Sequence, residues 1–526
     1  TIIDGNIYAT NTILNNGISN NSTLELTDGS NITSTIKTSK DSQGILAFLG
    51  DSIATGTIGT DTEKLAQINA ADTGKTVRFN SSLNADKLNL IADGTVVLAD
   101  NSNINSSITT TINNQGTLDF EGNSTVTGEI GTSLESLKEI TLGTSGKTVN
   151  FKKDVYASNI IFESDGTVNS DGNLTTDINF SGNNATVNIS DGKGILGSVE
   201  TLATNNTGIL NFKGDGVIDG IIGSASLGIK ELNINTNNEQ DSGGNGVMVT
   251  YSALGRELYA DVINLRNNAT LTLGDNVNLI NTGSDDILVK VDTNNTGTLT
   301  FLGTSSIQGE VGESNKILNT INAGAIGETV TFDDMVYAKN LKYLADGKVV
   351  LNGNKTPDSL NEAMIGTVDF DTKSGTLEIG DNVNLTTGTS GIQFTNANDA
   401  VLKFAGNSII TGILGGNTAG NSTFERIYAG ADGKTVTFKN DVHVQEANDT
   451  TLHVSGTGVV NFEGNLVGDL IYDANGTVNV NNGKSIIVST ISTAVKTANN
   501  HTGILNFKGE TTLYGNIGTS IWGLKV

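Results

Sequence analysis

Gly116-Thr117-Leu118-Asp119-Phe120-Glu121-Gly122-Asn123-Ser124-Thr125-Val126-Thr127-Gly128-Glu129-Ile130-Gly131 contains a pattern that the chain writes six times: Phe, any residue, Gly, five residues, Gly, any residue, an aliphatic residue, Gly. The copies begin at Phe48 and Gly50, Phe120 and Gly122, Phe212 and Gly214, Phe301 and Gly303, Phe404 and Gly406, and Phe507 and Gly509. A chain that repeats itself this faithfully stacks similar units instead of folding around one closed core. These six Phe and six Gly are therefore the expected structural repeat positions.

A second module, Gly-(Lys/Glu)-Thr-Val-x-Phe, occupies 74–79, 146–151, 327–332 and 433–438. Its Phe follows the first Phe by 31 residues in three copies and by 34 in the fourth. Asp-Gly pairs at Asp93, Asp165 and Asp346 open a third module, an alternating strand such as Thr95-Val96-Val97-Leu98. Steady spacing of this kind implies that fixed numbers of residues close a turn of a coil.

The alternation has the period of two expected for β-strands. Between the strands lie Gly, Asn, Asp, Ser and Thr, which turn corners through left-handed backbone or side-chain hydrogen bonds. Gly supplies 64 of 526 residues and Pro only one, Pro357; a coil whose every rung pairs with its neighbours has little room for a residue lacking an amide proton. The reading is all-β, a right-handed parallel β-helix (β-solenoid) with loop insertions, one continuous solenoid over 1–526. The sixteen Phe fall largely at repeat-equivalent places, which predicts stacked Phe ladders inside the coil. At roughly 20 residues per turn and about 4.8 Å per rung, a rod on the order of 120 Å is expected.

The first-module Phe residues stand 72, 92, 89, 103 and 103 residues apart. The variation reads as material inserted between shared rungs, with the clearest loops at 235–250 and 355–364. Loops added at one corner of a solenoid gather on one face, often the binding face.

With 56 acidic and 30 basic residues the net charge is −26. Phosphate-backbone binding needs clustered Lys and Arg, so nucleic acid is disfavoured as a partner, and anionic membrane surfaces are disfavoured for the same reason. Cys is absent, which suits a chain that crosses a membrane unfolded and refolds outside. The sequence opens at Thr1 without Met and stops within the sixth copy, so it reads as a fragment of a longer protein.

The sequence offers few groups arranged for chemistry. His443, His453 and His501 are the only histidines, and none has the spacing of a helical metal site; they read as polar groups on rung surfaces. Gly146-Lys147-Thr148 and Gly433-Lys434-Thr435 imitate the end of a phosphate loop, but Thr141 and Tyr428 stand where its first Gly is required. Gly243-Gly244-Asn245-Gly246 lacks the Asp of a calcium-binding nonapeptide, so no cofactor is expected and calcium is held at most weakly, by pairs such as Asp285-Asp286 or Asp333-Asp334. The same acids, or Glu135 with Glu139, would be the carboxylates of a carbohydrate-cleaving site. No supporting cation accompanies them in the sequence, and the reading is that the chain is not an enzyme.

The stretch quoted first, together with 433–438, resembles the passenger repeats of rickettsial surface cell antigens of the outer membrane protein B type. The resemblance implies an autotransporter passenger exported through a C-terminal outer-membrane barrel not present in this sequence. It further implies a location on the outer face of the bacterial outer membrane, lateral self-association into a coat, and adhesion to a host-cell receptor. The alternatives are a self-assembling surface-layer protein without a receptor, and a carbohydrate-active β-helix enzyme.

Overall fold

The structure is a computed structural model, and it describes residues 1–14, 22–182, 184–202, 204–236, 246–252, 255–353, 361–362, 364–386, 392–393, 400–415, 424–444, 451–488 and 493–525. The expected loops fall largely outside this set, at 237–245 and at 354–360 with 363. Among the described residues every regular element is a β-strand. Parallel strands stack as a β-solenoid of about 21 turns, so the expected fold class holds. Two compact units are distinguished, Thr1–Ile263 with Thr282–Ser284, and Asn264–Asn281 with Asp285–Val526.

In the first unit each turn lays three extended segments on its neighbours, giving three faces, and at one corner two segments can run on as a single strand, as in Ile104–Thr110, whose Ile104 and Ile108 lie on different faces. One face stacks Leu24, Leu46, Ile68, Leu88 and Ile108 in register. A second stacks Ala54, Phe79, Leu98, Phe120, Leu142, Phe162 and Phe180. A third stacks Ile104, Val126, Phe151, Ser170, Ile189, Phe212 and Ile234. These side chains point inward and are almost completely buried. Burying each large apolar side chain contributes about 1.5–3 kcal/mol, which suffices without a wide core.

The sequence repeat does not close on whole turns. Phe48 lies on the first face, in the strand Ile45–Phe48 that carries Leu46. Phe120 lies on the second face and Phe212 on the third. From Phe48 to Phe120 the coil makes three turns and one third; from Phe120 to Phe212 it makes four and one third. In the second unit Phe301, Phe404 and Phe507 likewise occupy three different stacks, with Leu273, Ile379 and Val480 respectively. The longer spacing from Phe120 to Phe212 is thus a whole added turn, and not a loop inserted between shared rungs. The module is a local strand-corner-strand unit, and the pseudo-threefold coil accepts it on any face.

This geometry explains the fixed 31-residue spacing and corrects the expected ladders. One turn plus one strand separates Phe48 from Phe79, so their rings meet across an inner corner, 5.4 Å apart and at 84°. Phe120–Phe151, Phe301–Phe332 and Phe404–Phe438 repeat the contact at 6.1, 5.7 and 5.7 Å. Edge-to-face contact at these separations is a favoured aromatic geometry. Direct rung-on-rung ring contact occurs at Phe162–Phe180 and Phe438–Phe462, at 5.1 and 5.5 Å. Phe48, Phe120, Phe212, Phe301 and Phe404 are buried, whereas Phe507 is 41% exposed, because its strand Ile504–Lys508 pairs with a neighbour on one side only.

Candidate functional site

The corners are where the chain places its polar chemistry. Asp28-Gly29-Ser30-Asn31, Asp100-Asn101-Ser102-Asn103, Asp275-Asn276-Val277-Asn278 and Asp381-Asn382-Val383-Asn384 form a tetrad one turn before the first-module Phe. Asp191-Gly192 and Asn482-Gly483 hold the same place in the remaining copies. The second residue is left-handed in all six, with φ between 56° and 76° at Gly29, Asn101, Gly192, Asn276, Asn382 and Gly483, a conformation Gly and Asn tolerate best.

The tetrad grips the next turn. Asp28 Oδ1 accepts the backbone N–H of Asp51 at 2.7 Å, and Asp100, Asp191, Asp275 and Asp381 do the same for Asn123, Asp215, Thr304 and Asn407 at 2.8–2.9 Å. The repeat glycine lies directly against that carboxylate: a Cβ on Gly50, Gly122, Gly214, Gly303 or Gly406 would sit 2.0–2.3 Å from the Asp oxygen. Gly509 stands in the same relation to Asn482 at 2.4 Å. The tetrad's Asn reaches forward too, and Asn31, Asn103, Asn278 and Asn384 accept the N–H of Ile53, Thr125, Ser306 and Ile409 at 2.7–2.9 Å.

One turn later the staircase continues. Asp51, Asn123 and Asn407 accept the N–H of Thr76, Thr148 and Thr435 at 2.8–3.0 Å. The second-module lysine then folds back two turns to the tetrad Asp, as Lys75–Asp28 and Lys147–Asp100 at 2.7 Å and as Lys434–Asp381. The imitation of a phosphate loop is thus a turn whose lysine is an internal ion-pair partner. Hydrogen bonding to Lys75 and Lys147 holds the carboxyls of Asp28 and Asp100 below the usual aspartate range. A carboxyl lowered in the folded state stabilises fully above its ordinary value of about 3.9 and loses that contribution as pH falls through the lowered one. Lys147→Met is therefore expected to lower stability modestly at neutral pH and to leave it unchanged where Asp100 is protonated, so that the loss of stability below about pH 4 is flatter than in the parent, read from circular-dichroism melts across pH at low salt. The two proteins should converge in high salt, which screens so exposed a pair.

Beyond the corners the outward positions of the third face carry a row of carboxamides. Asn169 donates to Asn150, Asn188 to Asn169, and Asn211 to Asn188, each at 2.8 Å, and Asn233 donates to Asn211 at 2.9 Å. A second row joins Asn461, Asn479 and Asn506 at 2.8 and 3.0 Å. At the foot of the first row lies a hollow of about 180 Å³ lined by Asn101, Asn103, Asn123, Ser124, Thr125, Thr148 and Asn150.

The ionisable candidates are scattered differently from the sequence reading. Burial raises the Glu310 carboxyl, and the charges of Asp286 and Asp334 nearby add to the rise. Asp333 accepts the Asn352 side-chain amide at 2.8 Å. Among the described residues no group of three or more His, Cys, Asp or Glu could hold a metal ion. Glu139 sits in the strand Leu137–Leu142 opposite Thr117, while the Glu135 main chain closes a turn with Thr132. A pairing not foreseen is Arg78, which makes a bidentate bond to Glu121 and lowers its carboxyl; Asp119 nearby is raised by burial and by the charges of Glu121 and Glu163.

His443 is 8% exposed and burial lowers its pKa. His453 is more elaborate than a surface polar group: its ring lies 4.8 Å from Tyr428, with Asp473 at 2.9 Å from Nδ1 and the Thr451 hydroxyl at 2.6 Å from Nε2. Thr451 is only 1% exposed, so this set binds rungs together and offers no accessible nucleophile. His501 occupies a left-handed turn, φ 57°. Of the calcium-like stretch, 243–245 lies outside the described residues.

Comparison with known proteins finds no matching family model and no matching solved structure. The chain is 28% identical over 482 residues to outer membrane protein A of Rickettsia rickettsii. The match covers 72% of this chain and 21% of that protein. The chain therefore spans about a fifth of the length of the curated relative it matches, and what it resembles is a rickettsial outer membrane protein, by name of type A.

Proposed function

We infer that the chain is a surface-exposed autotransporter passenger segment, serving as a structural coat on the bacterial outer membrane and as an adhesin for host cells. The observation that carries this reading is the similarity to a rickettsial outer membrane protein across 72% of the chain. The corner staircase supports it physically. Each turn presents acceptors to the N–H groups of the next, so a chain emerging from one end can fold by templated addition of rungs, continuously over 1–526. Charge repulsion at −26 makes lateral association depend on complementary patches or on weakly bound calcium. Beads coated with the purified chain are expected to adhere to host cells, and surface labelling of intact bacteria should detect it. Beads that adhere no better than uncoated ones would remove the adhesin role and leave a receptor-free surface layer.

One observation favours a second reading, a carbohydrate-active β-helix. Asp119 and Glu121 are two carboxyls whose surroundings move them in opposite directions, the arrangement used for acid-base work. That reading predicts release of reducing sugar ends from neutral or acidic glycans, abolished by Asp119→Asn; no release from any glycan would dismiss it.

A further inference from the structure

The hollow at the foot of the first Asn row has a lining of one chemical kind. In a chain of net charge −26 its walls are entirely uncharged: five carboxamides or threonines, Asn103, Asn123, Thr125, Thr148 and Asn150, with Asn101 and Ser124 completing them. Asp100 and Lys147, next in sequence to Asn101 and Thr148 of the lining, pair with each other at 2.7 Å.

The corner fixes how these amides are turned. Asn103 Oδ1 is occupied by the Thr125 N–H at 2.8 Å and Asn123 Oδ1 by the Thr148 N–H at 3.0 Å. Both Oδ1 atoms being held by backbone, the two Nδ2 groups have no protein partner among the described residues and remain as preset donors. Asn150 commits Nδ2 to the Thr125 hydroxyl at 3.3 Å and Oδ1 to Asn169, which leaves each amide of the row one further N–H and one further lone pair for outside groups. Above the hollow the row continues through Asn169, Asn188 and Asn211, one residue per rung, at the strand spacing of about 4.8 Å.

This lining excludes most ligand classes. No carboxylate faces the hollow to attract a cation, no Lys or Arg lines it to hold a phosphate or sulfate, and no aromatic or aliphatic side chain offers an apolar seat. What suits fixed amide donors beside hydroxyls is a ligand whose groups both donate and accept without charge. We propose that the hollow and the Asn150–Asn169–Asn188–Asn211 row form a binding site for a neutral linear glycan, one sugar seated in the hollow and the chain running along the row. This site is independent of the coat and adhesin reading.

The molecule supplies its own test variant. At the position equivalent to Asn123 the first copy has Asp51, whose carboxylate accepts the Thr76 N–H at 2.8 Å. Asn123→Asp therefore keeps the corner acceptor and replaces the outward donor with a carboxylate oxygen, which in the first copy lies 3.3 Å from Lys75. The intact 526-residue chain would be tested on an array of neutral, uronic-acid and sulfated oligosaccharides, beside Asn123→Asp and beside Asn479→Ala in the second row, with melting curves for all three. Expected is retention of neutral linear glycans, weakened about tenfold or more by Asn123→Asp with an unchanged melting curve, and unaffected by Asn479→Ala. No retention of neutral glycans, preference for charged ones, or equal binding by Asn123→Asp would each overturn the site. Equal weakening by Asn479→Ala would overturn it as well, since Asn479 belongs neither to the lining of the hollow nor to the first row.

Discussion

Replacing Phe120 by alanine is expected to lower the stability of the surrounding rungs by about 3–5 kcal/mol, the range for deleting a buried Phe side chain. The ring is buried between Leu98 and Leu142 on its own face and meets Phe151 edge-on from the next, so removal leaves a cavity that two neighbouring faces cannot both close. In a solenoid the loss is local. Native-state hydrogen exchange should therefore report faster opening of Thr117–Phe120 and Thr148–Phe151, with distant rungs unaffected. The sequence-equivalent Phe507→Ala is expected to change little, since Phe507 is 41% exposed. Similar losses at the two positions would mean that burial does not set the importance of the repeat Phe.

The second large effect concerns the glycine two residues on. A Cβ at Gly122 would stand 2.3 Å from Asp100 Oδ1, 2.5 Å from its Cβ and 2.6 Å from its Cα. Gly122→Ala is expected to cost about 1–3 kcal/mol by forcing the two turns apart at the corner. Because the clash involves the Cβ and Cα of Asp100 as well as its carboxylate, Asp100→Ala should not rescue it. Denaturation midpoints of the two single variants and the double variant measure this; a double variant more stable than Gly122→Ala would show that the carboxylate alone demands the glycine.

The stacking of parallel strands was legible because alternation, turn residues and near-absence of Pro all agree in this chain. How the repeat maps onto turns was not legible. A spacing of 31 residues says that Phe48 and Phe79 are related, but the same number suits a ring directly above, or one turn and a strand further on, and only the register separates the two. The inserted-loop reading of Phe120 to Phe212 failed for the same reason, since an added turn and an added loop lengthen a sequence alike.

The tetrads at Asp28, Asp100, Asp275 and Asp381 were present as a signal that ordinary turn composition concealed. Their meaning lies in what they hold one turn later, more than 20 residues along the chain, and so does the matching demand for glycine. The hollow is less legible still, because it is assembled from three successive turns whose residues look like any other Asn and Thr. His453 shows the converse: an unremarkable position in sequence gains Tyr428, Thr451 and Asp473 only when the rungs are stacked.

Each repeat advances the coil by whole turns plus one third. The chain has no cysteine, so paired cysteines can map it directly. Ile53, Arg78 and Val97 follow one another in register on the second face, and the next position there is Asp119. In the sequence repeat, however, the residue equivalent to Ile53 is Thr125, which pairs with Asn150 on the third face. Disulfide formation under mild oxidation should therefore be efficient for Val97→Cys with Asp119→Cys, whose neighbouring backbones fall within bonding reach, and absent for Val97→Cys with Thr125→Cys. Efficient bonding of the 97–125 pair and none of the 97–119 pair would show that the repeat closes on whole turns, and would contradict the three-face arrangement on which the corners, the Phe contacts and the hollow all depend.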